Sequence, residues 1–93
     1  MALARVVSFD GVSASRVEEM KQQIGEGPPD DIPAKEIVML YDADAQKAVV
    51  VVFFDNQEDY DRADATLSAM PADETPGQRT SVGRYEVAVR ATA

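Results

Sequence analysis

The stretch Lys47-Ala48-Val49-Val50-Val51-Val52-Phe53-Phe54 limits what this chain can fold into more than any other feature. Valine and phenylalanine favour extended backbone, and successive side chains of a strand point to opposite faces. Val49, Val51 and Phe53 therefore share one face, and Val50, Val52 and Phe54 share the other. A strand in a sheet with one wet face alternates apolar and polar residues. This one does not, so it predicts a central strand whose two faces are both covered. The run is far too short to span a bilayer.

The rest of the chain supplies the partners of that strand. Leu3 to Phe9 is rich in β-formers, with Leu3, Val7 and Phe9 on one face and Ala4 and Val6 on the other. Asp10-Gly11 breaks the pattern, and Ser13 or Ser15 can cap a helix whose apolar stripe is Val17, Met20 and Ile24. Gly25, Gly27 and Pro28-Pro29 end it, and Ile32 in the following loop can dip back onto an end of the core. Glu36 to Tyr41 reads as a second strand, joined through Asp42–Gln46 to the valine-rich strand as a hairpin. Asp55 or Asn56 caps a second helix with the stripe Tyr60, Ala63, Leu67 and Met70, followed by Pro71. Pro76-Gly77 suits the centre of a type II turn, and Ser81 to Arg90 reads as a final strand with Tyr85, Val87 and Val89 on its inner face.

The order is βαββαβ, predicting a single α+β domain over residues 1–93: a ferredoxin-like, four-stranded antiparallel sheet with two helices on one face and the first and third strands central. The helices cover only one side of the doubly apolar strand. A second copy of the same sheet, in a two-fold dimer, is the simplest cover for the other. Val50, Val52 and Phe54 are assigned to that interface, although periodicity alone does not say which face of the strand meets the partner.

Composition narrows the chemistry. With no cysteine and no histidine, the chain lacks disulfides, thiolate nucleophiles and the commonest general base and transition-metal ligands. No metal site and no cofactor are expected. A net charge of −8 disfavours nucleic acid and anionic membrane as partners. The N-terminus shows no charged segment followed by a long apolar stretch, so a cytoplasmic location is expected.

Several local patterns invite sharper readings. Asp42-x-Asp44-x-Gln46 resembles the start of a calcium loop, but Lys47 stands where glycine is needed and Phe53 where glutamate is needed. Asp55, Glu58, Asp59, Asp61 and Asp64 are read as a solvated helix face, not a cation site. An RNA-recognition domain shares the element order, yet its third strand needs stacking aromatics where this one has valines. Tyr41 and Tyr85 are polar-tipped aromatics on strands, able to hydrogen-bond a ligand or, alternatively, to sit in the core with the hydroxyl at the rim. Arg5 and Arg84 can hold a carboxylate through the planar guanidinium, or form strand-surface ion pairs. Tyr41, Tyr85 and Arg84 are the ligand-binding candidates; no catalytic residue is assigned.

The element order and the apolar third strand, with Val6-Val7-Ser8-Phe9-Asp10-Gly11-Val12, Asp64 to Pro71, Thr75-Pro76-Gly77 and Tyr85 to Val89, resemble the dimeric α+β barrel superfamily. That group includes antibiotic-biosynthesis monooxygenase-like domains, stress-responsive barrel proteins and small actinobacterial proteins. The resemblance implies a sheet-to-sheet homodimer with a pocket between each sheet and its helices. Its haem-degrading and polyketide-oxidising members use particular Asn, Trp or His residues; this chain has no Trp or His, and its only Asn is Asn56. Three functions follow as expectations: binding of a small apolar or aromatic metabolite, cofactor-independent oxygenation or isomerisation of such a metabolite, or a non-catalytic dimerisation and interaction module.

Overall fold

The computed structural model describes residues 2–25, 27, 32–69 and 75–92. The elements run β1 (Leu3–Asp10), α1 (Ala14–Ile24), β2 (Glu36–Asp42), β3 (Lys47–Phe54), α2 (Gln57–Ser68) and β4 (Gln78–Glu86). One antiparallel sheet has the order β2-β3-β1-β4, the ferredoxin-like arrangement, with β1 and β3 in the middle as expected. No helix among the described residues is long and apolar enough to cross a membrane.

Local chemistry sets the boundaries. Gly11, at φ +66°, turns the chain out of β1, and the Ser13 hydroxyl then accepts from the Arg16 backbone N–H to open α1. Asn56 does the same for α2, its side-chain oxygen accepting from the Asp59 N–H at 2.8 Å. In the β2–β3 turn, the Asp42 carboxylate accepts from the N–H groups of Asp44 and Ala45. Met70, Pro71 and Pro28-Pro29, expected at the helix ends, lie outside the described residues.

Two expectations for the last third of the chain are corrected. Pro76-Gly77 is not a type II turn, because Gly77 does not have the positive φ such a turn needs at its third position. Its glycine serves close approach instead: a Cβ there would collide with the Asp10 carbonyl oxygen and press on Val12 Cγ2. The last strand starts earlier than expected and ends at Glu86, not Arg90. Glu86 pairs with Leu3, the first residue of β1, and one further hydrogen bond from Val87 N–H to Ala2 O closes the ladder. Arg90 lies over the Phe53 ring at 4.7 Å, so the segment after β4 turns across the sheet toward β3.

Registered antiparallel partners share a face, so the pairing fixes both sides of the sheet. Leu3, Arg5, Val7 and Phe9 of β1 lie on the helix side with Ala48, Val50, Val52 and Phe54 of β3. The core there forms two clusters. One gathers Leu3, Ile32, Val52 and Phe54 against Tyr60 and Ala63 of α2, with Ile32 covering the end of the core as expected. The other gathers Val7, Phe9, Val12 and Ala48 against Val17 of α1, and Val50 touches both.

The placement of β3 corrects the interface assignment. Val52 and Phe54 are 2% and 0% exposed beneath the helices, and Val50 packs with them. The open face is formed instead by Val49, Val51 and Phe53, flanked by Val38 and Leu40 of β2 and by Ala4 and Val6 of β1. Phe54 settles the difference: its ring meets Tyr60 edge-on at 5.3 Å, a contact only the helix side offers.

Candidate functional site

Between the two core clusters, where Val50 bridges them, lies a cavity of about 160 Å³. Its floor is the sheet, with Val7, Val50 and Val52. Its roof is Met20 and Ile24 of α1 and Leu67 of α2. The space has a simple origin in the sequence. The central strands place valines beneath Met20, Ile24 and Leu67, and valine is too short to fill the gap. Met20, Ile24 and Leu67 are only partly buried for the same reason. The apolar lining gives way to Gln23, Thr75 and Arg79.

One wall is charged. Arg5 projects from β1 on the helix side and is 3% exposed, the one buried charged residue among those described. Its Nε donates to Asp64 Oδ1 at 2.8 Å, and Nη2 donates to Ser68 Oγ at 3.4 Å. Both acceptors belong to α2, so the guanidinium pins that helix to the central strand. The Asp64 side chain is 43% exposed, so its charge stays partly hydrated while that of Arg5 does not. Asp64→Ala leaves a buried guanidinium short of its main acceptor, and the expected loss is about 1–3 kcal/mol in urea unfolding with an unchanged m-value. A loss below about 0.5 kcal/mol, the size of an ordinary exposed pair, would show that Arg5 draws its support from elsewhere.

The residues expected to bind a ligand are dispersed. Tyr41 points to the helix side, but its hydroxyl donates to the Val12 carbonyl at 2.8 Å, which ties β2 to the start of α1. Arg84 is opposite Arg5 in the β1–β4 register and stacks its guanidinium over the Tyr60 ring at 5.3 Å. Tyr85 pairs with Ala4, stands on the open face at 58% exposure and lies over Gly83. None of the three lines the cavity. Burial raises the Tyr60 phenol above its ordinary pKa and Asp64 adds to this, while Arg5 and Arg84 oppose it.

Three of the four acidic residues of α2 have separate work. Asp59 joins the Asn56 cap, Asp61 accepts from the Gln57 side chain at 2.6 Å, and Asp64 holds Arg5. Arg5 and Arg84 were weighed alike from the sequence, and Arg84 was taken as the ligand-binding candidate. The position of Arg5 between Leu3 and Val7, on the apolar face of a central strand, was a signal that could have distinguished it.

Fold and cavity together define a ferredoxin-like α+β domain with an apolar chamber between sheet and helices and a buried arginine in its wall. No protein-family model, curated protein or solved structure matches the chain.

Proposed function

We propose that the chain binds a small apolar or aromatic metabolite in the chamber between sheet and helices. The observation that carries this reading is the cavity itself: about 160 Å³ lined largely by Val, Ile, Leu and Met. An apolar cavity of about 150 Å³ is large enough to take up benzene, so one aromatic ring or a short alkyl chain matches the volume. Binding without catalysis is favoured over an oxygenase or isomerase activity, because Tyr41 spends its hydroxyl on Val12 and Tyr85 lies on the other side of the sheet.

Filling the chamber tests the reading. Val50→Phe adds volume at the point where the two clusters meet. The variant is expected to keep or raise its melting temperature and to lose the thermal stabilisation that single-ring aromatic compounds give the unaltered chain. Equal stabilisation of both proteins would place the compounds outside the chamber.

A homodimer through the open sheet face is part of the same proposal, as in the dimeric α+β barrel superfamily. Val38, Val49, Val51 and Phe53 are neighbours on that face and partly exposed, with Leu40 beside them 56% exposed and the Arg90 guanidinium over the Phe53 ring. Charges of both signs border it: Glu36 and Asp42 on β2, Lys47 on β3 and Arg90 over Phe53. A surface of that kind can oppose a rotated copy of itself without like charges meeting, which favours a second copy over a charged partner.

A further inference from the structure

Resting on the chamber as a ligand site, we propose that its ligand is a carboxylate, a single-ring aromatic or short-chain monocarboxylic acid anchored on Arg5. Arg5 lines the chamber while being almost wholly removed from solvent. Of its five N–H donors, the one on Nε meets Asp64 and one on Nη2 meets Ser68. Nη1 has no hydrogen-bond partner among the described residues, yet it is not sealed off, since no fully buried side-chain nitrogen or oxygen is left unsatisfied. The remaining donors therefore reach accessible space, and Arg5 is one of the residues that line the chamber.

A planar guanidinium with free donors beside apolar walls matches a planar carboxylate on an apolar body. Arg79 at the chamber edge and Arg84 opposite Arg5 both lie on the helix side, and among the described residues Arg79 forms no ion pair. Asp61, Asp64 and Glu86 stand on the same side as Arg5, Arg79 and Arg84, so the arginines there are offset by acids, and only Arg5 and Arg79 line the chamber itself. Asp64 already balances the charge of Arg5, so a ligand carboxylate brings one further negative charge, which Arg79 in the chamber lining is placed to offset. A phosphate dianion demands more donors than Arg5 has left.

The test compares two molecules of the same shape, phenylacetate and its neutral amide, by calorimetry and by the ¹⁵N signals of the arginine side chains. Phenylacetate is expected to bind about tenfold or more tighter than phenylacetamide and to shift the Arg5 resonances, in line with a charge-assisted hydrogen bond. Arg5→Met is expected to bring the acid down to the level of the amide while the amide changes little. Arg5→Lys, which keeps the charge but not the fork, is expected to fall between, and the wild-type resonances decide the matter if Arg5→Met does not fold. Equal affinity of acid and amide overturns the carboxylate and leaves the chamber standing as an apolar site. Failure of both to bind at millimolar concentration overturns the chamber reading as well.

Discussion

Phe54→Ala is expected to cost about 3–5 kcal/mol, enough to leave a domain of ordinary stability, about 5–15 kcal/mol, close to unfolding at moderate temperature. The Phe54 ring is fully buried, sits at the end of a central strand and packs against Leu3, Val52 and Ala63. Its edge-on contact with Tyr60 adds about 0.5–1.5 kcal/mol beyond the buried area. Removing it opens a hole between β3 and α2 that the rigid sheet cannot close. Urea unfolding followed by circular dichroism measures the effect. A loss under about 1 kcal/mol would mean that Phe54 is not in the core and that the two faces of β3 are the other way round.

Val51→Asp, on the opposite face, is expected to leave the single domain folded and to break its pairing. Val51 lies at the centre of the open face, opposite Val6 on one side and Val38 on the other. In an isolated chain an aspartate there stays hydrated, and the cost is the poor strand preference of Asp, about 1 kcal/mol. In a two-fold dimer each copy brings one such charge into an apolar contact. At roughly 3 kcal/mol for each desolvated carboxylate, dimer dissociation rises by about four orders of magnitude. Sedimentation equilibrium of the two proteins reads this directly. A dimer of unaltered strength would show that the contact lies elsewhere, and a wild-type chain that is monomeric at high micromolar concentration would end the pairing proposal.

The contrast between these neighbouring positions comes from strand geometry alone. Phe54 and Val51 are three residues apart, so their side chains leave the strand on opposite sides. One is held by helices and the other looks outward. Their chemistry is nearly the same, and nothing in the strand's own composition distinguishes them.

Much of the framework was legible in local signals. Ser13 or Ser15, and Asp55 or Asn56, marked the helix starts, of which the structure uses Ser13 and Asn56, because capping needs only a side-chain oxygen a few residues ahead of a backbone N–H. The stripe Tyr60, Ala63 and Leu67 marked the inner face of α2, and β3 itself was bounded to the residue. The candidate site was less legible. Tyr85 was expected inside because it is aromatic and alternates with charged residues. Pairing with β1 instead turns Arg84 to the helix side, where the Tyr60 ring receives its guanidinium, and leaves Tyr85 covering Gly83 on the open face.

By itself, then, the order of residues determined the six elements, their sequence βαββαβ and the need to cover a doubly apolar strand, all of which depend on near neighbours and on periodicity. Only the tertiary structure decided which side of that strand the helices cover, because a strand apolar on both faces carries no polar residue to orient it. The chamber also belongs to the tertiary level. It lies between residues of two helices and small valines of the sheet while Arg5, pinned to α2 by Asp64 and Ser68, stands at its wall, and no local pattern records the space between elements distant in the chain.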